Sequence, residues 1–218
     1  MRLTIFGATG GIGTLLVRQS LEAGHQVTAV VRGDPEVIAT ALTRRAHEGL
    51  TIVRADVMDP MAIEPILAGQ DAVLSAIGSR DGRAPTTVSA DSVFSITTAM
   101  DKAGVRRLVT ISAAGAFTEE ADGPLVRLVA KPLMQRVLLR HSFADLRAAE
   151  ELIRDSGLDW TIMRPPRLTE GPRTRDYRMA ADRGLRRGYL ISRADVADCV
   201  LGLLDDPDFH GATVAVAY

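Results

Sequence analysis

The most informative stretch lies near the N-terminus and reads LTIFGATGGIG from Leu3 to Gly13. A mostly apolar strand pattern comes first, and glycines follow as G-x-x-G-x-x-G at Gly7, Gly10 and Gly13, directly before a helical pattern. Glycine lacks the Cβ that keeps backbone N–H groups away from a ligand, and a helix start carries unpaired donors and the positive end of the helix dipole. The stretch therefore predicts a turn that binds a diphosphate, with an unliganded tight turn as the alternative.

Further along the chain, short β-branched runs alternate with longer helical patterns, which is typical of βαβ units and a parallel sheet. The predicted strands are Leu3–Phe6, Gln26–Val31, Thr51–Arg54, Ala72–Ile77, Arg107–Ser112, Trp160–Arg164 and Thr213–Ala217. The predicted helices lie between the first two strands and over Met61–Ala68, Thr86–Ala103, Phe143–Ser156 and Arg193–Leu204. We expect one α/β domain over residues 1–218, a doubly wound Rossmann sheet flanked by helices, with a small C-terminal extension on the substrate side.

The ends of the second and third strands predict how an adenosine would be recognised. Arg32 follows the second strand, where a cation suits the 2′-phosphate of NADP and an acid would suit the ribose of NAD. An exposed arginine without a ligand is the alternative, and the nearby Asp34 and Glu36 would weaken the preference for NADP if they folded inward. Asp56 closes the third strand and can accept a hydrogen bond from the adenine amino group, with Val57 beside the ring. As an alternative, Asp56 caps the next turn.

Two segments interrupt the alternation and are candidate lids or substrate loops. Residues 113–141 form a long connection, and Pro172–Arg187 is rich in arginine. Both follow the carboxyl ends of predicted strands, where open α/β sheets place their ligand crevice. Solvated connecting helices are the alternative for each.

Composition indicates which partners and compartments to expect. Hydrophobic residues make up 46% of the chain, the net charge is −1, and Cys199 is the single cysteine. A globular protein of this charge is not drawn to nucleic acid or to an anionic membrane, and no uncharged apolar run reaches the roughly 18 residues that span a bilayer. The N-terminal motif leaves no room for a signal peptide, so we expect a cytoplasmic protein. The four histidines show no metal-ligand spacing, and the oligomeric state is not predicted.

A family resemblance rests on the glycine turn together with Arg32, Asp56, the stretch Ile77-Gly78-Ser79-Arg80 and the stretch Trp160–Pro165. Leu190–Ala197 belongs to the same pattern. The chain resembles the atypical short-chain dehydrogenases/reductases, in particular the NAD(P)H-binding group that contains flavin reductase/biliverdin-IXβ reductase and the nitrogen-metabolite-repressor-like proteins. The resemblance covers nearly the whole chain and is weakest between Ala113 and Arg140.

The resemblance implies NADPH as the cofactor and assigns each site residue a part of it. Thr9, Gly10, Gly11 and Ile12 would hold the pyrophosphate. Arg32 would hold the 2′-phosphate, and Asp56 and Val57 would lie by the adenine. Ile77, Gly78, Ser79 and Arg80 would line the middle of the cofactor, and Ser112 and Pro165 would flank the nicotinamide.

The proton relay of the classical members of this superfamily is absent from the sequence. Those members use a Tyr-x-x-x-Lys pair, whereas Thr98 precedes Lys102 by four residues and Arg127 precedes Lys131 by four. Ser112 is then the one catalytic candidate, although its hydroxyl could equally satisfy backbone at a strand end.

Hydride transfer to a flat acceptor needs no such relay, because protons can come from water. The sequence therefore favours an NADPH-dependent reductase of a planar acceptor such as a flavin or quinone. Two alternatives stay open: a non-catalytic NADP(H)-binding regulator of the nitrogen-metabolite-repressor type, and a tailoring reductase for a specific metabolite.

Overall fold

The predicted alternation forms a mostly parallel sheet flanked by helices in the computed structural model, which describes residues 1–34, 49–79, 84–118, 121–123, 126–133, 135 and 139–218. The strands are β1 (Arg2–Phe6), β2 (Gln26–Val31), β3 (Leu50–Arg54), β4 (Ala72–Ser75), β5 (Arg107–Ile111), β6 (Asp159–Arg164), β7 (Arg167–Thr169), β8 (Arg178–Ala181), β9 (Leu190–Ser192) and β10 (Ala212–Ala217). The longer helices are α1 (Gly11–Glu22), α2 (Pro60–Leu67), α3 (Val88–Ala103), α4 (Arg140–Asp155) and α5 (Arg193–Gly202).

The order of the strands places a crevice at the end of β1. The main sheet runs β3-β2-β1-β4-β5-β6-β10-β8, and only β8 is antiparallel to its neighbour β10. The chain moves outward from β1 to β3 on one side and returns to β4 on the other, so Phe6 pairs with both Val30 and Ser75. Open α/β sheets bind ligands at such a reversal, outside the carboxyl ends of the strands.

Helices cover both faces of the sheet and bury two apolar cores. Leu16 of α1 packs with Val200 of α5 on one face, while Ile96 of α3 packs with Ile153 of α4 on the other. All four side chains are almost completely buried, and each such burial contributes about 1.5–3 kcal/mol to stability. Within the described ranges, no helix combines the length and the apolarity that crossing a bilayer requires.

The structure corrects several predicted boundaries. Ile77 and Ser112 were expected as strand residues, but β4 ends at Ser75 and β5 ends at Ile111. Both residues lie just beyond the paired strand residues, where they line the crevice. Three short strands, β7, β8 and β9, were not predicted, because three or four residues are too few to show a period of two.

The two candidate substrate segments differ in their structure. Pro172–Arg187 contains β8, which joins the main sheet, so neither a simple loop nor a connecting helix describes it. Residues 113–141 are described only in part, with short helical turns at Ala114–Ala116, Val126–Ala130 and Lys131–Leu133.

Candidate functional site

The turn between β1 and α1 brings backbone against backbone at two of its glycines. Gly7 has a φ of +74°, and a Cβ there would lie 2.7 Å from the carbonyl carbon and oxygen of Ala76. A Cβ on Gly13 would lie 2.0 Å from the oxygen of Gly7. Any side chain at these positions would push the turn away from β4 or away from α1, so the glycines fix the path of the backbone.

The start of α1 is open to an anion. Gly10 is the N-cap residue and donates its N–H to the oxygen of Gly7 at 2.9 Å, and as a glycine it has no side chain to cap the helix. The first turn of the helix also holds no acidic residue. The first amides of α1 therefore keep the donor capacity and the positive dipole end that bind phosphates.

An arginine from the far end of the chain lies over this helix start. Arg193, the first residue of α5, places its Cδ and Nε 3.0 Å from the position a Cβ of Gly11 would take. Its guanidinium forms an ion pair with the exposed Glu170. Arg193 lies in the stretch Leu190–Ala197 that contributes to the family resemblance. The sequence predicts no role for it, because no local pattern indicates that this stretch contacts the glycine turn.

A cleft of about 610 Å³ runs from the glycine turn across the ends of the neighbouring strands. Its lining includes Gly7, Thr9, Gly10, Arg32, Val57, Ile77 and Gly78 from the predicted site, and also Phe6, Val30, Val31, Gly33, Asp34, Ala55, Met58, Ala76 and Val88. The structure thus brings together residues from the ends of β1, β2, β3 and β4, as the prediction requires.

A second arginine contacts the backbone of Arg32 at the ends of β2 and β3. Arg32 is exposed, and the Nε of Arg54 donates to its backbone oxygen at 3.3 Å. Arg54 ends β3 and pairs in register with Val31, which directly precedes Arg32. The sequence could have indicated this contact, since Arg32 and Arg54 lie at the ends of consecutive predicted strands, but Arg54 was not among the predicted site residues.

Asp56 and Val57 separate in the structure. Val57 is buried and lines the cleft. Asp56 is exposed, and its Oδ1 accepts from the N–H of Met58 at 3.0 Å. That contact is the turn-capping role named as the alternative for Asp56, and contact with the adenine stays a prediction.

A smaller cavity of about 190 Å³ continues the cleft toward β5. Ile12, Ser79 and Ser112 of the predicted site line it, with Ala76, Ile77, Gly78, Ser89, Ile111, Ser142 and Leu146. Three of these residues, Ala76 to Gly78, also line the larger cleft, so the two spaces join at the exit of β4.

Ser112 presents an unsatisfied hydroxyl in this smaller cavity. Its N–H donates to the oxygen of Met163 at 2.7 Å, but its buried Oγ has no hydrogen-bond partner within the described ranges. An unpaired buried hydroxyl costs about 1–3 kcal/mol, which a ligand acceptor or donor would recover. The backbone at this strand end does not use the hydroxyl, so this observation favours the ligand interpretation of Ser112.

The remaining predicted residues lie at the margins of the site. Pro165 follows β6 and is buried, and its oxygen accepts from the N–H of Ala114 at 2.9 Å, but it is not among the described residues that line the two cavities. Gly11 and Gly13 lie in the turn itself. Arg80 lies outside the described residues.

Asp195 fastens the second candidate substrate segment to α5. Its carboxylate accepts from the N–H and the hydroxyl of Thr174 at 2.7 and 2.8 Å, from the N–H of Arg175 at 2.8 Å, and from the hydroxyl of Tyr218 at 2.7 Å. Burial by itself raises the pKa of Asp195, but these hydrogen bonds outweigh it and hold the pKa below its ordinary value. The segment is therefore anchored at one end while β8 anchors its middle.

Comparison with known proteins agrees with this geometry. A family model described as NAD(P)H-binding matches residues 7–207. The protein YwnB of Bacillus subtilis is 27% identical over 95% of this chain and 94% of its own length, and the chloroplastic protein At2g34460 of Arabidopsis thaliana is 30% identical over 93% and 71%. A short-chain dehydrogenase/reductase from Veillonella parvula, solved in complex with NADP, superimposes with a TM-score of 0.77 at 22% identity, covering 100% of this chain and 94% of that one.

Proposed function

This chain belongs to the NAD(P)H-binding family, and we propose that it is an NADPH-dependent reductase that passes hydride to a planar acceptor such as a flavin or a quinone. The observation that carries the proposal is the joined pair of cavities. One end lies at an uncapped helix start and the other at the unpaired hydroxyl of Ser112, with Ala76 to Gly78 common to both. A dinucleotide carries a diphosphate that suits the first end and a polar nicotinamide carboxamide that suits the second.

The residues at each end fit the parts of NADP(H). The amides of Gly11 and Ile12 at the start of α1, with the guanidinium of Arg193 over Gly11, suit a diphosphate. Arg32, which is exposed and lines the cleft, suits the 2′-phosphate that distinguishes NADP from NAD. This cation at the end of β2 supports NADP as the preferred cofactor.

The tyrosines and lysines support chemistry without a proton relay. Lys102 lies 3.8 Å from Glu64, and Lys131 donates to Asp122 at 2.6 Å. Tyr177 donates its hydroxyl to Asp198 at 3.0 Å, and burial raises its pKa well above the ordinary value, so it holds its proton. Within the described part of the chain, neither lysine hydrogen-bonds a tyrosine hydroxyl.

When bound, NADPH supplies the hydride, and a flavin or quinone accepts it without a protein acid. The protein then has to orient the two rings and to hold them close together. In this proposal the buried hydroxyl of Ser112 hydrogen-bonds the carboxamide or the acceptor and so fixes the angle of one ring. No residue needs to change its protonation state for this role.

The decisive experiment is a pair of calorimetric titrations with NADP+ and NAD+, followed by steady-state turnover of NADPH with FMN, riboflavin and simple quinones. We expect tighter binding of NADP+ and NADPH oxidation with at least one of these acceptors. Absence of binding by either dinucleotide would refute the whole proposal. Binding without turnover would refute the reductase and favour the non-catalytic regulator.

A further inference from the structure

A second cavity, of about 860 Å³, lies between the two segments predicted as substrate loops. Thr118 and Ala121 come from the first segment, and Met179, Ala180 and Asp182 to Arg186 come from β8 and the loop after it. The remaining walls are Arg154, Arg164, Thr213 and Ala215. This cavity shares no lining residue with the two joined cavities of the dinucleotide site.

Two arginines of the wall are held rigidly by one buried carboxylate. Glu150 is 1% exposed and accepts from Nε and Nη2 of Arg164 at 3.0 and 2.6 Å and from Nη2 of Arg154 at 2.7 Å. The guanidinium carbon of Arg164 also lies 3.4 Å from the centroid of the Phe117 ring. Both guanidinium groups are therefore fixed in place before any ligand arrives.

Two further arginines stand at the rim without partners. The side chains of Arg183 and Arg186 make no hydrogen bond or ion pair within the described ranges, and both residues are exposed. The loop that carries Arg183 is held to β10, because Asp182 donates its N–H to the oxygen of Thr213 at 2.7 Å and accepts from the N–H of Thr213 at 2.9 Å. One oxygen of the one carboxylate among the described lining residues, that of Asp182, is thus bonded to β10.

Arginines predominate among the described residues that line the cavity. Four of these residues are arginines and one, Asp182, is acidic, while Glu150 lies behind Arg154 and Arg164. The chain as a whole has a net charge of −1, so this concentration of arginines is local. A cavity that keeps uncompensated guanidinium groups attracts an anion, and the planar fork of arginine matches carboxylate and phosphate oxygens.

We propose that this cavity binds an anionic small molecule through carboxylate or phosphate oxygens. Arg154 and Arg164 form the preorganised inner contact, and Arg183 and Arg186 close on the ligand from the rim. Because the cavity is separate from the dinucleotide cleft, its ligand binds whether or not NADP(H) is present.

The test uses the full-length protein in chloride buffer with saturating NADP+, which blocks the anion site at the glycine turn. Citrate and succinate probe carboxylate recognition, while inorganic phosphate and glycerol phosphate probe phosphate recognition, each followed by calorimetry. We expect at least one probe to bind, and the double variant Arg183→Gln/Arg186→Gln to bind it at least about tenfold more weakly. The class of probe that binds identifies the ligand chemistry.

Arg187→Gln is the matched control, because Arg187 lies in the same loop and is exposed but does not line the cavity. It removes one charge and should leave probe binding unchanged, and the double variant should keep wild-type affinity for NADP+. The proposal fails if no probe binds to the wild type at millimolar concentration, or if the double variant and the control bind alike. If NADP+ itself does not bind, the same titrations are run without it. Loss of probe binding in the double variant then still supports the anion site, while the proposed reductase is refuted.

Discussion

Replacing Gly13 with alanine tests whether the glycine turn is built by backbone contact. The added Cβ would lie 2.0 Å from the oxygen of Gly7, which is 1.0 Å inside the 3.0 Å limit that real Cβ contacts respect. It would also lie 2.9 Å from the Cα of Ala8, so no flexible side chain can move aside to relieve the overlap. Overpacking of this kind costs about 1–3 kcal/mol. In a domain of this size, that loss lowers Tm by roughly 2–12 °C.

Thermal unfolding and NADP+ titration of the same preparation provide the measurement. The start of α1 must shift away from Gly7, which displaces the amides that we propose hold the diphosphate, so we expect NADP+ affinity to fall at least about tenfold. Gly202→Ala is the control, because it lies in the last turn of α5 with open space around its would-be Cβ. That change should stabilise the protein by about 0.4–1 kcal/mol. If Gly13→Ala instead keeps Tm within about 1 °C and NADP+ affinity within about twofold of wild type, the close-contact reasoning is wrong.

Four further predictions concern single side chains. Arg32→Gln should weaken NADP+ binding roughly 10- to 150-fold while NAD+ binding hardly changes, and equal losses for both would remove Arg32 from the 2′-phosphate site. Arg193→Gln should weaken both dinucleotides to a similar extent in calorimetry, because both carry the diphosphate, and a change in only one of them would contradict its position over the turn. The lowered pKa of Asp195 means that its charge stabilises the fold above the unfolded pKa of about 3.9, and that this stability is lost as the pH falls through the folded pKa. The difference in free energy of unfolding between wild type and Asp195→Asn, measured in urea, should therefore narrow below about pH 4. A difference that does not depend on pH would refute this. Burial raises the pKa of Cys199 to about 12, so at about pH 8 the thiol should react with iodoacetamide only after unfolding, and rapid modification of the native protein would contradict its environment.

The doubly wound sheet could be predicted because its signals are local. A buried parallel strand is a short β-branched run, a flanking helix has a longer apolar period, and the glycine turn joins the two. The central strands and the long helices of the structure follow these signals to within a few residues. The prediction failed at β7, β8 and β9, whose three or four residues pair with strands far away in the chain and carry no period of their own.

The candidate site could be predicted only in part, for the same reason. Gly7, Arg32 and Val57 follow the ends of predicted strands, and Ile77 and Ser112 are the last residues of two others. Parallel strands bring those ends to one edge of the sheet. The engagement of Asp56 with Met58 depends on the exact turn that follows β3, which strand patterns do not specify.

The sequence alone determined the order of the central strands and the long helices, the glycine turn between β1 and α1 and the edge of the sheet where a dinucleotide is predicted to lie, since each follows from residue type and spacing within a few turns of chain. Only the tertiary structure decided that Arg193 lies over Gly11, and that Arg154 and Arg164 share a cavity with Arg183 and Arg186. Those contacts arise where α5 packs on α1 and where β8 adds to the edge of the sheet beyond β10. The physical reason is that such packing brings together segments that are distant in the chain by burying apolar surface. Because the hydrophobic effect is not directional, no local sequence pattern predicts where the charged side chains of these segments will lie.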